Sequence, residues 1–129
     1  MVWRPEVEDF IEAHEAAGQV SELRTPGLKM STEKGIQKIM DIIEETEECS
    51  DSYKVAATIL VEGINKHPFN DGNHRTMWIV AKQALRNNDE QMLVTEIKGF
   101  DSIEEDLKSE VKFKSVNQVA DWIKTGEFK

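Results

Sequence analysis

The sequence contains almost nothing with which to build a disulfide framework or a membrane span. Cys49 is the only cysteine among 129 residues, so no disulfide bond can form within the chain. No apolar run approaches the ~18 residues that a transmembrane helix needs, and no secretory h-region is visible. We therefore expect a protein of a reducing compartment, the cytoplasm, with no membrane partner.

Residues that break helices are also scarce. The chain has seven glycines and three prolines, against 39% hydrophobic and 32% charged residues. This composition is typical of helix-rich globular proteins, and the length suffices for one hydrophobic core but not for two. The sequence therefore predicts an all-α fold with a single domain over residues 1–129.

Basic residues are outnumbered by acidic ones. The chain has 16 lysines and arginines and 25 acidic residues, which gives a formal net charge of −9. Such a chain repels phosphate backbones and anionic lipid heads, so we expect no direct nucleic-acid partner. The acidic run over residues 44–48 fits a solvated helix end, and the alternative is a docking site for a basic partner.

Apolar residues at helical spacing predict the order of the helices. A first helix follows Pro5 and ends near Gly18. A flap is expected over residues 19–31, where Pro26-Gly27 predicts a turn in either a short hairpin or an ordered loop. A second amphipathic helix starts after Ser31-Thr32.

The next two helices are the most apolar. The third has two adjacent apolar rows, which predicts a central, buried helix, and it should stop at His67-Pro68 because proline cannot continue it. The fourth closes at residues 86–88, where a cation lies in the last turn.

Weaker signals follow. Residues 92–97 alternate between apolar and polar, which favours a short strand or an extended linker. The pairs Ser102 with Glu105 and Ser115 with Gln118 have capping-box spacing and predict two final helices.

The segment between the third and fourth helices concentrates polar groups in one short loop, residues 67–75. A loop that feeds a helix N-terminus directs backbone amides and the positive end of the helix dipole at one point, which is an anion site. Gly72 allows close backbone approach, Asn73 can cap or donate its amide, and Arg75 adds a forked cation for phosphate oxygens.

Two further residues of this loop have candidate chemistry. Asp71 is a hard oxygen ligand suited to Mg²⁺ that also takes phosphate oxygens. His67, at the end of the buried helix, faces the anion site as a candidate general base. Phe69 interrupts the polar run and is interpreted as the plug that fixes the loop to the core.

The loop resembles the signature of the Fic/Doc family, H-P-F-x-[D/E]-G-N-[G/K]-R. Seven of the nine positions match as they stand, namely His67, Pro68, Phe69, Asp71, Gly72, Asn73 and Arg75. The chain length, the flap and the apolar helix after Arg75 extend the likeness, which looks closest to the death-on-curing (Doc) branch.

The resemblance implies a compact helical bundle that transfers AMP, another phosphate-linked group or phosphate from ATP to a protein hydroxyl. It implies His67 as general base, Asp71 as the Mg²⁺ ligand, and Gly72, Asn73 and Arg75 as the anion hole. It further implies a toxin whose target is a protein such as a translation factor, with a separate antitoxin protein as its partner.

Two positions depart from the family pattern. His74 stands where the family usually has Gly or Lys, and Trp78 where Fic enzymes usually carry a second Arg. A bulky ring at position 74 disfavours the usual nucleotide register, so phosphate transfer is favoured over AMP transfer. His74 would add positive charge to the nucleotide site below about pH 6.5.

Alternative interpretations stay open. The chain can be a binding module that keeps the fold without transfer, or a metal-dependent hydrolase using His67, Asp71 and His74 as ligands. The pattern Thr58-x-x-x-Glu62-Gly63 matches an inhibitory motif of some Fic proteins but falls inside the central helix. His14 is interpreted as a helix-face residue without chemistry.

Overall fold

The computed structural model describes residues 2–20, 32–69, 73–92, 94 and 100–128. Within these ranges the chain forms six α-helices and one short 3₁₀ turn, and no β-strand. The all-α bundle predicted from the sequence is therefore confirmed.

The helices follow the predicted order. They are α1 Val7–Val20, α2 Thr32–Thr46, α3 Ser52–Lys66, α4 Asn73–Asn87, α5 Phe100–Ser109 and α6 Val116–Thr125, with the 3₁₀ turn Val111–Phe113 between the last two. Helix α1 ends slightly later than expected. Residues 21–31 of the predicted flap and most of residues 92–97 lie outside the described residues.

Helix α3 is the central element, as its two apolar rows predicted. Nine of its fifteen residues are buried, and it packs against α2, α4 and α6. The Asp51 carboxylate caps its start by accepting a hydrogen bond from the Lys54 amide at 3.0 Å. The helix stops at Lys66 because His67 turns into the left-handed region with φ 49°, directly before Pro68.

Helices α3 and α4 approach each other closely at a glycine. A Cβ atom built on Gly63 would overlap the side chain of Met77, which is fully buried on α4. The absence of a side chain at Gly63 therefore sets the distance between the helix that ends at His67 and the helix that follows the signature.

One predicted cap of the C-terminal helices is confirmed and the other is wrong. Ser115 and Gln118 form a full capping box at the start of α6, with bonds of 2.9 and 3.2 Å. Helix α5 begins at Phe100, so Ser102 lies inside its first turn and is not a cap. Ser102 and Glu105 keep the same spacing whether Ser102 is a cap or lies inside the helix. The spacing alone therefore does not determine where the helix begins.

Arg4, in the N-terminal segment, caps the C-terminal end of α2. That helix has no basic residue in its last turn, and the Arg4 guanidinium supplies the cation from outside. Arg4 donates to the carbonyls of Thr46 at 2.9 Å, Glu47 at 3.1 Å and Cys49 at 2.7 Å.

Over the described ranges, none of the helices has the length and apolarity that crossing a membrane requires.

The contact between Gly63 and Met77 predicts a stability effect that depends on both residues. Gly63→Ala gains about 1 kcal/mol of helix propensity, whereas overpacking costs about 1–3 kcal/mol. We expect a net loss of about 1 kcal/mol in the free energy of unfolding, measured by urea denaturation. In a Met77→Ala background the same change should be stabilising by about 1 kcal/mol. An equal stabilisation in both backgrounds would contradict the close approach.

Candidate functional site

The signature lies where α3 ends and α4 begins. His67 follows α3, and Pro68 and Phe69 are buried behind it. Helix α4 begins at Asn73, so Asn73, His74 and Arg75 form its first turn and are not part of the loop. Asp71 and Gly72 lie outside the described residues, and their metal and phosphate roles stay predictions.

The backbone of His67 is held in place from two sides. Its amide donates to the Gly63 carbonyl at 3.1 Å, and its left-handed conformation takes the chain out of α3. The Lys38 ammonium, from α2, donates to the neighbouring Lys66 carbonyl at 2.9 Å. A cation at a helix C-terminus stabilises the carbonyls that lack partners there, so α2 fixes the end of the helix that presents His67.

The two histidines of the signature are brought together. The ring centroids of His67 and His74 lie 6.2 Å apart, with the ring planes nearly perpendicular at 87°. The candidate base therefore lies beside the residue that departs from the family pattern, and both are half-buried.

Phe69 fastens the loop to the core, as predicted. Its side chain is 2% exposed, and its ring stacks on that of His14 with centroids 4.1 Å apart and planes 3° from parallel. His14, which was predicted to have no chemistry, thus supports the signature from α1. Its place on the apolar stripe of α1, one turn after Phe10, was the signal for a buried contact.

Asn73 closes the loop onto itself. Its side-chain oxygen accepts from the Phe69 amide at 3.0 Å, and its side-chain nitrogen donates to the Phe69 carbonyl at 2.8 Å. The residue is 5% exposed, so this pair of bonds is shielded from water. Because Phe69 takes up both polar ends of the side chain, the predicted anion role of Asn73 falls to its backbone amide at the start of α4.

The electrostatic surroundings keep His74 uncharged. Burial lowers the pKa of His74 below its usual value of 6.5, and the neighbouring His67 lowers it further. The ammonium groups of Lys108 and Lys112 also lower this pKa, while the Glu104 carboxylate opposes them. The expected protonation of His74 therefore moves to lower pH, and near neutrality its ring is neutral.

Trp78 belongs to the core. It is 4% exposed, and its ring lies 5.9 Å from that of Trp122 on α6. The position at which Fic enzymes usually carry a second Arg therefore packs against α6 in this chain.

The described residues contain no cluster of three or more His, Cys, Asp or Glu side chains suited to a metal. Of the three ligands proposed for a metal-dependent hydrolase, His67 and His74 are neighbours and Asp71 lies outside the described ranges. The observed pair alone does not make up a metal site.

Comparison with known proteins gives one match. The sequence model of a family described as Fic/DOC family matches residues 5–85. That range contains the whole signature and ends near the end of α4, so α5 and α6 lie beyond it. No curated protein and no solved structure matches the chain significantly.

The neutral state of His74 predicts a dependence of stability on pH. The unfolded chain binds a proton at about pH 6.5 more readily than the folded chain does. The free energy of unfolding should therefore fall as the pH drops below about 6.5, and less so in His74→Gln. NMR titration of the ring should give a midpoint for His74 below 6.5, and a midpoint above it would contradict the burial of the ring.

The bonds between Asn73 and Phe69 predict a loss that only Asn73 should show. Asn73→Ala leaves a buried amide and a buried carbonyl without partners, which costs about 2–4 kcal/mol of unfolding free energy. Asn65→Ala removes an exposed amide that donates to the Val61 carbonyl, and should cost at most about 0.5 kcal/mol. Urea denaturation compares them, and similar losses would mean that Asn73 does not hold the loop.

Proposed function

The chain belongs to the Fic/DOC family, and from this premise we propose that it moves a phosphate-containing group from ATP to a hydroxyl of a target protein. The family match covers well over half of the chain and includes every residue of the signature. Membership indicates a transferase-type function. The group moved, the nucleotide and the target are our proposal.

The observation that carries the proposal is the meeting of His67 with the first turn of α4. Helix α4 is 15 residues long, and its N-terminus offers amides and a positive dipole end to an anion. Arg75 belongs to the same turn and adds a cation. A phosphate group bound there would lie beside the imidazole of His67, which is the arrangement that general-base transfer to a hydroxyl needs.

The proposed step uses residues of this chain. His67 accepts the proton of the target hydroxyl, whose oxygen then forms a bond to phosphorus while the bond to the leaving phosphate oxygen breaks. Arg75 and the amides of α4 stabilise the charge on the transferred group. Asp71 is the hard oxygen ligand that would hold Mg²⁺, which neutralises phosphate charge when bound.

We propose that the transferred group is phosphate, as in the Doc branch. The half-buried ring of His74 lies beside His67, in a position where the family usually has Gly or Lys. It takes up space that an AMP-transferring register requires, so the terminal phosphate of ATP would face the hydroxyl. Because its ring is neutral near pH 7, His74 contributes hydrogen bonding and shape, and the fixed cations supply the charge.

The proposed partners follow from the same family resemblance. We propose a cytoplasmic toxin that modifies a protein of the translation machinery and is held in check by a separate antitoxin. Glu62, the acidic residue of the motif-like pattern in α3, pairs with Lys66 on the same helix at 3.8 Å. Glu62 lies within α3 itself, the helix that ends before His67, and not on a separate inhibitory helix, which supports inhibition by another protein.

A second candidate is a nucleotide-binding module without transfer activity. It is favoured by the same two departures, His74 beside the base and Trp78 in the core. Such a protein would bind ATP and modify nothing.

Labelled ATP tests these proposals together. The protein is incubated with a cell extract, Mg²⁺ and ATP labelled at either the α- or the γ-phosphate, and labelled proteins are then separated. We expect label only from the γ-position. Label from the α-position would mean AMP transfer, and ATP binding without any labelled protein would favour the inactive module.

His67→Asn should abolish this labelling while ATP still binds. Asparagine tolerates the left-handed backbone that His67 adopts, so the loop should keep its shape, whereas alanine would add strain. We expect loss of transfer by at least about a hundredfold, the lower range for removal of a general base. Asn65→Ala, exposed on the last turn of α3, should label as the wild type does, and persistent labelling by His67→Asn would reject the role of base.

A further inference from the structure

A row of charged residues borders the core face of α5 and of the turn after it. The charged residues are Glu104, Lys108 and Lys112, and the buried residues that precede them are Ile103, Leu107 and Val111. In both sets the residues recur every fourth position, so the charged row runs beside the buried one along the same side of the segment. The row lies beyond the family match, which ends at residue 85.

The row is placed next to the signature by two helix contacts. Helix α5 packs against α4, whose first turn carries His74, and the turn Val111–Phe113 packs against α3, which presents His67. All three charged groups act on the pKa of His74, Lys108 more than Glu104 or Lys112. Packing and electrostatics therefore put the row on the side of the signature where the two histidines meet.

Lys108 is a member of this row whose side chain can reach an incoming ligand. Its side chain is 58% exposed, and its ammonium lies 3.9 Å from the Glu104 carboxylate one turn earlier. Exposed ion pairs of this kind contribute little and exchange readily with other partners. An incoming phosphate oxygen can therefore replace Glu104 as the partner of Lys108 at small cost.

The charged row has a different balance of charge from the chain as a whole. The whole protein has a formal net charge of −9, yet two of the three charged residues in the row that faces His74 are lysines. Arg75, in the first turn of α4, and the two lysines that lower the pKa of His74 contribute positive charge to this region from different parts of the chain. A group with several negative charges is the ligand that such an arrangement favours.

Resting on the proposed function, we propose that Lys108, supported by Lys112, binds the phosphate chain of the nucleotide from the side of α5. The polyphosphate would then be held between the first turn of α4 and the lysines of the C-terminal segment. Trp78, turned into the core, leaves α4 without a cation at that position, and the lysines supply one from a neighbouring element.

Binding of ATP, ADP and AMP to the full-length protein, measured by calorimetry with Mg²⁺, tests this proposal. Lys108→Gln should weaken ATP binding by on the order of tenfold, the scale of one charge-assisted hydrogen bond, with a smaller effect on ADP and almost none on AMP. Lys108→Arg should retain ATP affinity. Lys82→Gln is the matched control, an exposed lysine on the later part of α4, and should change ATP affinity less than twofold.

The possible outcomes separate this inference from the proposed function. ATP binding by the wild type that Lys108→Gln leaves unchanged, or weakens no more than Lys82→Gln does, overturns the inference alone. Equal weakening of ATP and AMP also overturns it, because the lysine would then not read the phosphate chain. A wild type that binds no nucleotide overturns the proposed function and this inference together.

An NMR titration checks the placement of the lysine without nucleotide. Lys108→Gln removes a cation that lowers the pKa of His74, so the midpoint of His74 should rise, whereas Lys82→Gln should leave it in place. A midpoint that does not move would contradict the position of Lys108 beside the signature.

Discussion

The packing of α3 against α4 is the contact on which the rest of the site depends. Gly63 lets the buried Met77 approach the backbone of α3, and the two helices meet at the ends that carry His67 and His74. Two contacts fix Phe69 in the short connection between these helices. Its ring stacks on that of His14, and its backbone amide and carbonyl bind the side chain of Asn73. Phe69 and Asn73, at the two ends of the described part of this connection, are thus fixed by contacts with the core and with each other.

The proposed anion site does not depend on a titrating group for its positive charge. Burial and neighbouring cations keep His74 neutral near pH 7, so its ring supplies no positive charge to a phosphate at that pH. Permanent positive charge comes from Arg75, from the helix dipole of α4 and from lysines on other elements. The Lys38 ammonium adds a cation at the C-terminal end of α3, where it donates to the Lys66 carbonyl. A neutral imidazole next to fixed cations is the state in which His67 could accept a proton.

Apolar periodicity and local signals were enough to predict the helix order, the buried position of α3 and its stop before Pro68. Those features depend on spacing along the chain, as does the capping box of Ser115 and Gln118. The start of α5, the stacking of His14 on Phe69 and the partner of Asn73 depend on contacts made only after the helices pack. The Arg4 cap on α2 spans more than forty residues, a distance at which local pattern carries no information. Sequence reasoning therefore proposed residues for the site but did not predict the contacts that hold Phe69 and Asn73 in place.

Packing against the C-terminal segment explains why position 78 on α4 carries a tryptophan and not an arginine. The ring of Trp78 lies 5.9 Å from that of Trp122, with the planes tilted, and the ring of Phe128 stacks on Trp122 at 5.0 Å. An arginine at position 78 would bury its charge among these rings, at a cost that a hydrophobic contact avoids. Because Trp78 packs against α6, position 78 does not offer a second cation, whereas Lys108 on α5 and Lys112 in the turn after it act electrostatically on His74. The helices beyond the family match thus both seal the core and alter the charge around the signature, so the activity of this chain is to be sought in the whole bundle and not in its signature alone.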